Sequence, residues 1–182
     1  LVVGHISMLI QHGQQFRVHL LNDAAAIQET GNGGAGSFHG GERDEHEAVP
    51  GHNMQGDIQV RQRGGPKFRS VTGYVAFGEG WALYAEALCK EMNAFPDIAA
   101  DFMRLDAELF RARRLVVDTG LHAQGWSRQK AIDYMVERTG RDVGFVTGEV
   151  DRYVSQPGQA LAYMIGQLRI IELRDRAKAR LG

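Results

Sequence analysis

From Val75 to the end of the chain, apolar residues return every third or fourth position, and no alternating apolar/polar run of useful length interrupts them. A chain patterned this way buries its apolar surface by packing helix on helix. The predicted fold is therefore mainly α. VAFGEGWALYAEALCKEM reads as one helix over residues 75–92. Pro96-Asp97 breaks the pattern and starts a second helix through AADFMRLDAELFRARRLVVD, with a glycine stop expected at Thr119-Gly120. Ser127 suits the N-cap of RQKAIDYMVERT, although Lys130 at the third helical position leaves the capping box incomplete. Thr147 is the expected cap of GEVDRYVSQ, Pro157-Gly158 is a break, and residues 159–180 form the last helix. Upstream the pattern is weaker. Residues 1–30 read as a weakly patterned helix with apolar residues spread around it, 31–41 as a glycine-rich loop, 42–55 as a polar helix and 56–72 as a loop. The expected division is an N-terminal segment, 1–41, and one helical region, 42–182, with no internal repeat.

Charge and composition exclude several function classes. The formal net charge is -1, so no general positive field favours nucleic acid or an anionic membrane, and no zinc-finger spacing or aromatic stacking motif is present. No stretch of about 18 apolar residues is available to span a bilayer. Cys89 is the single cysteine, which rules out an internal disulfide, and its helical setting reads as a small core residue. The glycine-rich loop is not followed by the Gly-Lys-Ser/Thr of a phosphate loop. His5, His12 and His19 recur every seven residues, two helical turns or about 10 Å apart, too far to share one ion. His39 stands in the loop without a partner in sequence. The chain starts with Leu, lacks the basic leader of a signal peptide, and ends while a helical pattern is running. It is expected to be a segment of a longer protein, cut at both ends.

The strongest local signal is His46-Glu47-Ala48-Val49-Pro50-Gly51-His52. In the familiar helical zinc motif, two histidines at i and i+4 share a face and a glutamate follows the first. Here the second histidine is at i+6, about 120° away on an ideal helix. Both can bind one ion only if the helix widens or ends between them. Pro50 cannot donate a backbone hydrogen bond to the His46 carbonyl, and Gly51 tolerates unusual backbone angles, so the sequence permits either outcome. A catalytic zinc usually has three protein ligands and one open position. Glu79 is the best third candidate: it begins a helix face that continues through Leu83 and Glu86, and Gly80 beside it would leave room for an ion. The competing reading is a solvated first-turn glutamate favoured by the helix dipole.

HEAVPGHNMQ, EGWALYAE, RARRLVVDTGLHAQGWSRQKAIDYM and EVDRYVSQPGQALAYMIGQLRI, in that order, resemble the bacterial domain-of-unknown-function 885 family over about residues 44–182. That family is regarded as zinc peptidases of the gluzincin type; residues 1–40 do not resemble it. The resemblance implies a helical zinc-metallopeptidase-like catalytic domain over residues 42–182, with His46, His52 and Glu79 as ligands of Zn2+ and Glu47 as general base. It also raises His122, Arg152, Tyr153 and Tyr163 as active-site lining. Asn53 departs from the usual pattern of two adjacent histidines; the site is intact if His52 is the ligand and damaged if the second histidine was. Relatives are much longer, and many are exported, so a periplasmic or envelope setting is implied.

Zinc would lower the pKa of its bound water, and Glu47 would take that water's proton and pass it to the leaving amine of a peptide or small amide. Tyr163, His122 and Tyr153 are candidate oxyanion donors; Tyr163 shares a helix face with Gln159, and Gly166 nearby would leave space. Each has a structural alternative. Tyr163 fits a core aromatic with a satisfied hydroxyl, and His122 a dipole partner near a helix end. Arg152 can hold a substrate carboxylate in its fork, which would suggest carboxypeptidase or dipeptidase action, or pair with Glu149 at i−3. Trp81 and Trp126 read as packing residues. Arg111, Arg113 and Arg114 read as a solvated helix face with one member ion-paired. The alternatives to a peptidase are a decayed, non-catalytic helical module and a zinc hydrolase of non-peptide amides or esters.

Overall fold

The computed structural model describes residues 45–62 and 65–182; the features expected at His5, His12, His19, His39 and in the glycine-rich loop lie outside them. The described chain is mainly α, with no strand among these residues. Residues 45–47 are helical and a turn follows. Helix α1 then spans His52–Arg61, α2 Val75–Glu91, α3 Ile98–Ala123, α4 Arg128–Thr139, α5 Val143–Ser155 and α6 Ala162–Leu181. Short 3-10 turns at Lys67–Ser70 and Gln159–Leu161 precede α2 and α6. The α1 helix occupies part of the stretch expected to be a loop.

Helix ends follow side-chain chemistry, with two corrections to the expected boundaries. Asp97 caps α3 by accepting from the Ala100 N–H at 2.8 Å, and Ser127 caps α4 by accepting from Lys130 at 3.1 Å. The cap of α5 is Asp142, which accepts from Gly144 and Phe145, so the helix starts before Thr147. Asp142 wins because its carboxylate satisfies two otherwise orphaned N–H groups. Helix α3 does not stop at Gly120 but runs to Ala123. Gly120 is there for closeness: a Cβ would lie 2.5 Å from the Trp126 ring, which folds back on the helix.

Helices α2 and α6 form the most extensive pair. They approach at Gly80 and Gly166, where a Cβ on Gly80 would lie 2.3 Å from the Gly166 Cα and one on Gly166 would lie 1.8 Å from the Ala76 carbonyl. Gly80 was expected to leave room for an ion and Gly166 to leave space beside Tyr163; instead each admits the other helix. Trp81, Tyr84 and Ile170 close one core cluster along that seam. A second core, including Phe110, Val117, Met135, Val146, Val150 and Tyr153, joins α3, α4 and α5. Helix α3 also packs on α6 and α2, so it connects the two halves and faces arginines toward the seam.

Candidate metal centre

The two motif histidines meet because the helix ends between them. Residues 48–51 form a turn with a cis Val49–Pro50 bond, and His52 opens a new helix. Gly51 is required here by close approach, since a Cβ would sit 1.8 Å from the His46 carbonyl oxygen. Trp81 holds the turn from α2: its buried indole N–H reaches the carbonyls of Pro50 at 2.8 Å and Gly51 at 3.3 Å. Trp81 therefore does more than pack. With the turn fixed, the rings of His46 and His52 lie edge to face, centroids 5.0 Å apart.

Glu79, one turn into α2, completes the group. Its Oε2 lies 3.4 Å from His52 Nε2 and 3.8 Å from His46 Nε2. The three residues each offer a ligand atom, all within 4.8 Å of one another. Zinc at 2.0–2.2 Å from each ligand in tetrahedral geometry would set ligand atoms about 3.4 Å apart. Two imidazoles and a carboxylate, with His52 and Glu79 half-buried and reachable from solvent, suit an ion that keeps an open position. Asn53 is exposed and His52 is the member that reaches the cluster, so the substitution at 53 leaves the triad intact.

A second set of groups orients the first. His46 Nδ1 donates to Glu86 Oε1 at 2.6 Å, because a carboxylate can only accept, and this turns Nε2 toward the site. Arg111 reaches Glu86 at 3.5 Å. Burial pulls the His46 pKa down, but hydrogen bonds with Glu79 and Glu86 outweigh it and push the group up to about 9. Burial raises the Glu79 pKa, yet hydrogen bonds from His46 and Tyr163 and the neighbouring imidazole charges leave it below the usual glutamate value. Both shifts favour a charged His46 imidazolium beside ionised Glu79 in the metal-free chain near neutral pH. The side-chain oxygen Glu86 Oε2 is buried with no hydrogen-bond partner among the described residues.

The other expected residues divide by location. Tyr163 is buried beside the triad: its ring stacks on His46 with centroids 6.2 Å apart, and Gln159 Nε2 bridges its hydroxyl, at 3.3 Å, and Glu79 Oε1, at 3.1 Å. Arg152 touches the Tyr163 hydroxyl and donates to Glu149 at 3.2 Å, so the expected i−3 pair forms. Tyr153 lies one layer further in, its ring in the α3–α5 core and its hydroxyl on Glu149 at 2.8 Å. His122 is bound through Nε2 to the Tyr153 carbonyl at 3.0 Å and is not brought to the ligands. Glu47 is exposed and has no hydrogen bond or ion pair among the described residues.

The arginine run corrects the solvated-face expectation. Arg114 is buried, donating to Glu149 at 2.6 Å and to the Tyr153 hydroxyl at 3.0 Å, while Arg111 and Arg113 are half-buried. Their spacing along one helix gives no hint that carboxylates on α2 and α5 would meet them. Glu86 and Gln159 were visible only as face-mates of Glu79 and Tyr163, and Glu149 only as the i−3 partner of Arg152; Arg111 and Arg114 had no signal for this neighbourhood.

The family described as "Bacterial protein of unknown function (DUF885)" matches residues 45–182, which contain every candidate ligand and every orienting group above. The chain belongs to the DUF885 family. A solved structure described as a "putative lipoprotein" from Colwellia psychrerythraea is 48% identical, with a TM-score of 0.74 over 78% of this chain. The DUF885 chain spans only 24% of that protein's length. No curated protein matches it. The helical fold expected from the resemblance is thus shared with a close relative, and no helix among the described residues is long and apolar enough to cross a membrane.

Proposed function

We propose that this DUF885 chain carries the centre of a zinc-dependent hydrolase that cleaves peptide bonds. The observation that carries this reading is the convergence of His46, His52 and Glu79 on one point, with His46 oriented by Glu86. Bound there, zinc would acidify a water molecule and polarise a substrate carbonyl. Glu47, next to a ligand in sequence and free of partners among the described residues, serves as the base that takes the water's proton and returns it to the leaving amine. Tyr163 directs its hydroxyl to the same neighbourhood as Glu79 and supplies a donor for the developing oxyanion. Tyr153 and Arg114 hold Glu149, which in turn positions Arg152. An intact ligand set counts against the decayed-module alternative. The lipoprotein description of the relative supports an envelope setting for the whole protein.

The test is metal stoichiometry. The chain is stripped with chelator, reloaded with zinc, and bound metal is counted by mass spectrometry alongside His46→Ala, His52→Ala and Glu79→Ala. About one zinc per chain, lost in each variant, is expected. Glu47→Ala should keep the zinc while chelator-sensitive peptide hydrolysis falls by roughly 10²–10⁴-fold. A folded wild-type chain that takes no zinc refutes the proposal.

A further inference from the structure

Three guanidinium groups surround Tyr163. Arg111 lies 5.7 Å and Arg114 5.0 Å from its ring centroid, and Arg152 touches its hydroxyl. Two are committed to the interior. Arg114 is 10% exposed and held by Glu149 and the Tyr153 hydroxyl; Arg111 is 14% exposed and faces Glu86. Arg152 is 34% exposed. It shares Glu149 with Arg114, so one carboxylate stands between two guanidiniums, and its Nε is buried with no hydrogen-bond partner. Positive charge therefore exceeds its compensation on the more exposed arginine of the pair. That arginine stands one hydroxyl away from the metal ligand Glu79.

We propose that Arg152 receives the terminal carboxylate of the substrate, making the site one that acts at the carboxyl end of a peptide. This rests on the hydrolase reading of the metal centre. The Tyr163 side chain interacts with both the Arg152 guanidinium and the Glu79 carboxylate, which keeps the two groups within roughly two hydrogen-bond spans, on the order of 6–7 Å. One residue advances a chain by about 3.8 Å between Cα atoms, so the gap accommodates one residue beyond the scissile bond, or two at most. A guanidinium suits the role because its planar fork matches a carboxylate and stays charged at every working pH. Glu149 holds the guanidinium through one nitrogen, and the side chain remains about a third exposed to an incoming carboxylate.

The experiment measures binding by NMR titration to the zinc-free and zinc-loaded chain. The probes are N-acetyl-phenylalanine, its C-terminal amide, and N-acetyl-glutamic acid α-amide, whose only carboxylate is on the side chain. The free acid should bind about tenfold or more tighter than the amide, as expected for a charge-assisted bidentate contact. Arg152→Gln should erase that difference, and Arg152→Lys should retain only part of it. Glu149 keeps Arg114 and Tyr153 in both variants, so the helix pairing is preserved. Equal binding of acid and amide overturns the proposal, as does a preference that survives in Arg152→Gln. Binding of the side-chain carboxylate as tightly as the terminal one overturns the assignment to the chain end. An acid preference in a chain that takes no zinc leaves the carboxylate site standing and removes the hydrolase reading; zinc without an acid preference does the reverse.

Discussion

Replacing Gly166 by alanine should separate the metal site from the groups that flank it. The added Cβ would lie 1.8 Å from the Ala76 carbonyl oxygen and 2.7 Å from the Gly80 Cα. Ordinary contact begins at 3.4 Å, so α2 and α6 must part locally by about 1.6 Å, and both obstacles are backbone atoms that cannot rotate away. Overpacking of this kind costs about 1–3 kcal/mol, and alanine's better helix propensity returns at most about 1 kcal/mol. A net loss of about 1–2 kcal/mol lowers Tm by roughly 2–8 °C in a chain of this size. Zinc content should be largely unchanged, because the hydrogen bonds that hold His46 and its turn run to Glu86 and Trp81 on α2, while α6 adds only the Tyr163 ring stacked on His46. Hydrolysis should fall, because Tyr163 rides on α6 and withdraws from Glu79. The control is Gly148→Ala in α5, where a Cβ meets nothing within 4 Å; the same substitution should there raise stability by up to about 1 kcal/mol. Calorimetry reads both. A Gly166→Ala chain that melts at or above the wild-type temperature refutes the close-approach account of the α2–α6 seam.

Glu86→Gln should weaken zinc binding by roughly 10–100-fold, measured by competition with a chromophoric chelator, because the neutral amide orients the His46 ring less firmly and no longer enriches its basicity. The proton on metal-free His46 competes with zinc, so zinc affinity should rise by roughly tenfold per pH unit between pH 7 and 9 and then level off. The same group gives the zinc-free chain the opposite trend: with a folded value raised from 6.5 to about 9, its stabilisation is complete below 6.5 and is lost as pH rises through 9. Melting temperatures of the zinc-free chain that climb over that window would contradict the His46–carboxylate contacts. Cys89 is buried and burial pushes its thiol up to about 12, so thiol reagents should label it only after unfolding, as followed by mass spectrometry.

The sequence by itself determined the helical class, because a helix repeat without strand alternation leaves no other way to bury the apolar positions. It also singled out the three side chains that converge in the structure: His46 and His52 by their motif, and Glu79 by its place near the start of α2 together with the family resemblance. Local chemistry fixed the starts of α3 and α4 at Asp97 and Ser127, since an N-cap acts within three residues of itself. Local chemistry also misled: Gly120 and Thr147 carry helix-end character, yet Gly120 serves Trp126 and Asp142 outcompetes Thr147. Only the tertiary structure decided how His46 and His52 meet, because the choice between a widened helix and a helix end depends on Trp81, some thirty residues away in sequence, reaching the Pro50 and Gly51 carbonyls. It alone turned Gly80 and Gly166 from space left for an ion and beside Tyr163 into a helix crossing, and Arg111 and Arg114 from a solvated face into partners of Glu86 and Glu149. The physical reason is range. Periodicity and caps are written into neighbouring residues, whereas a buried charge is placed by whichever opposite charge the packing of distant helices brings to it.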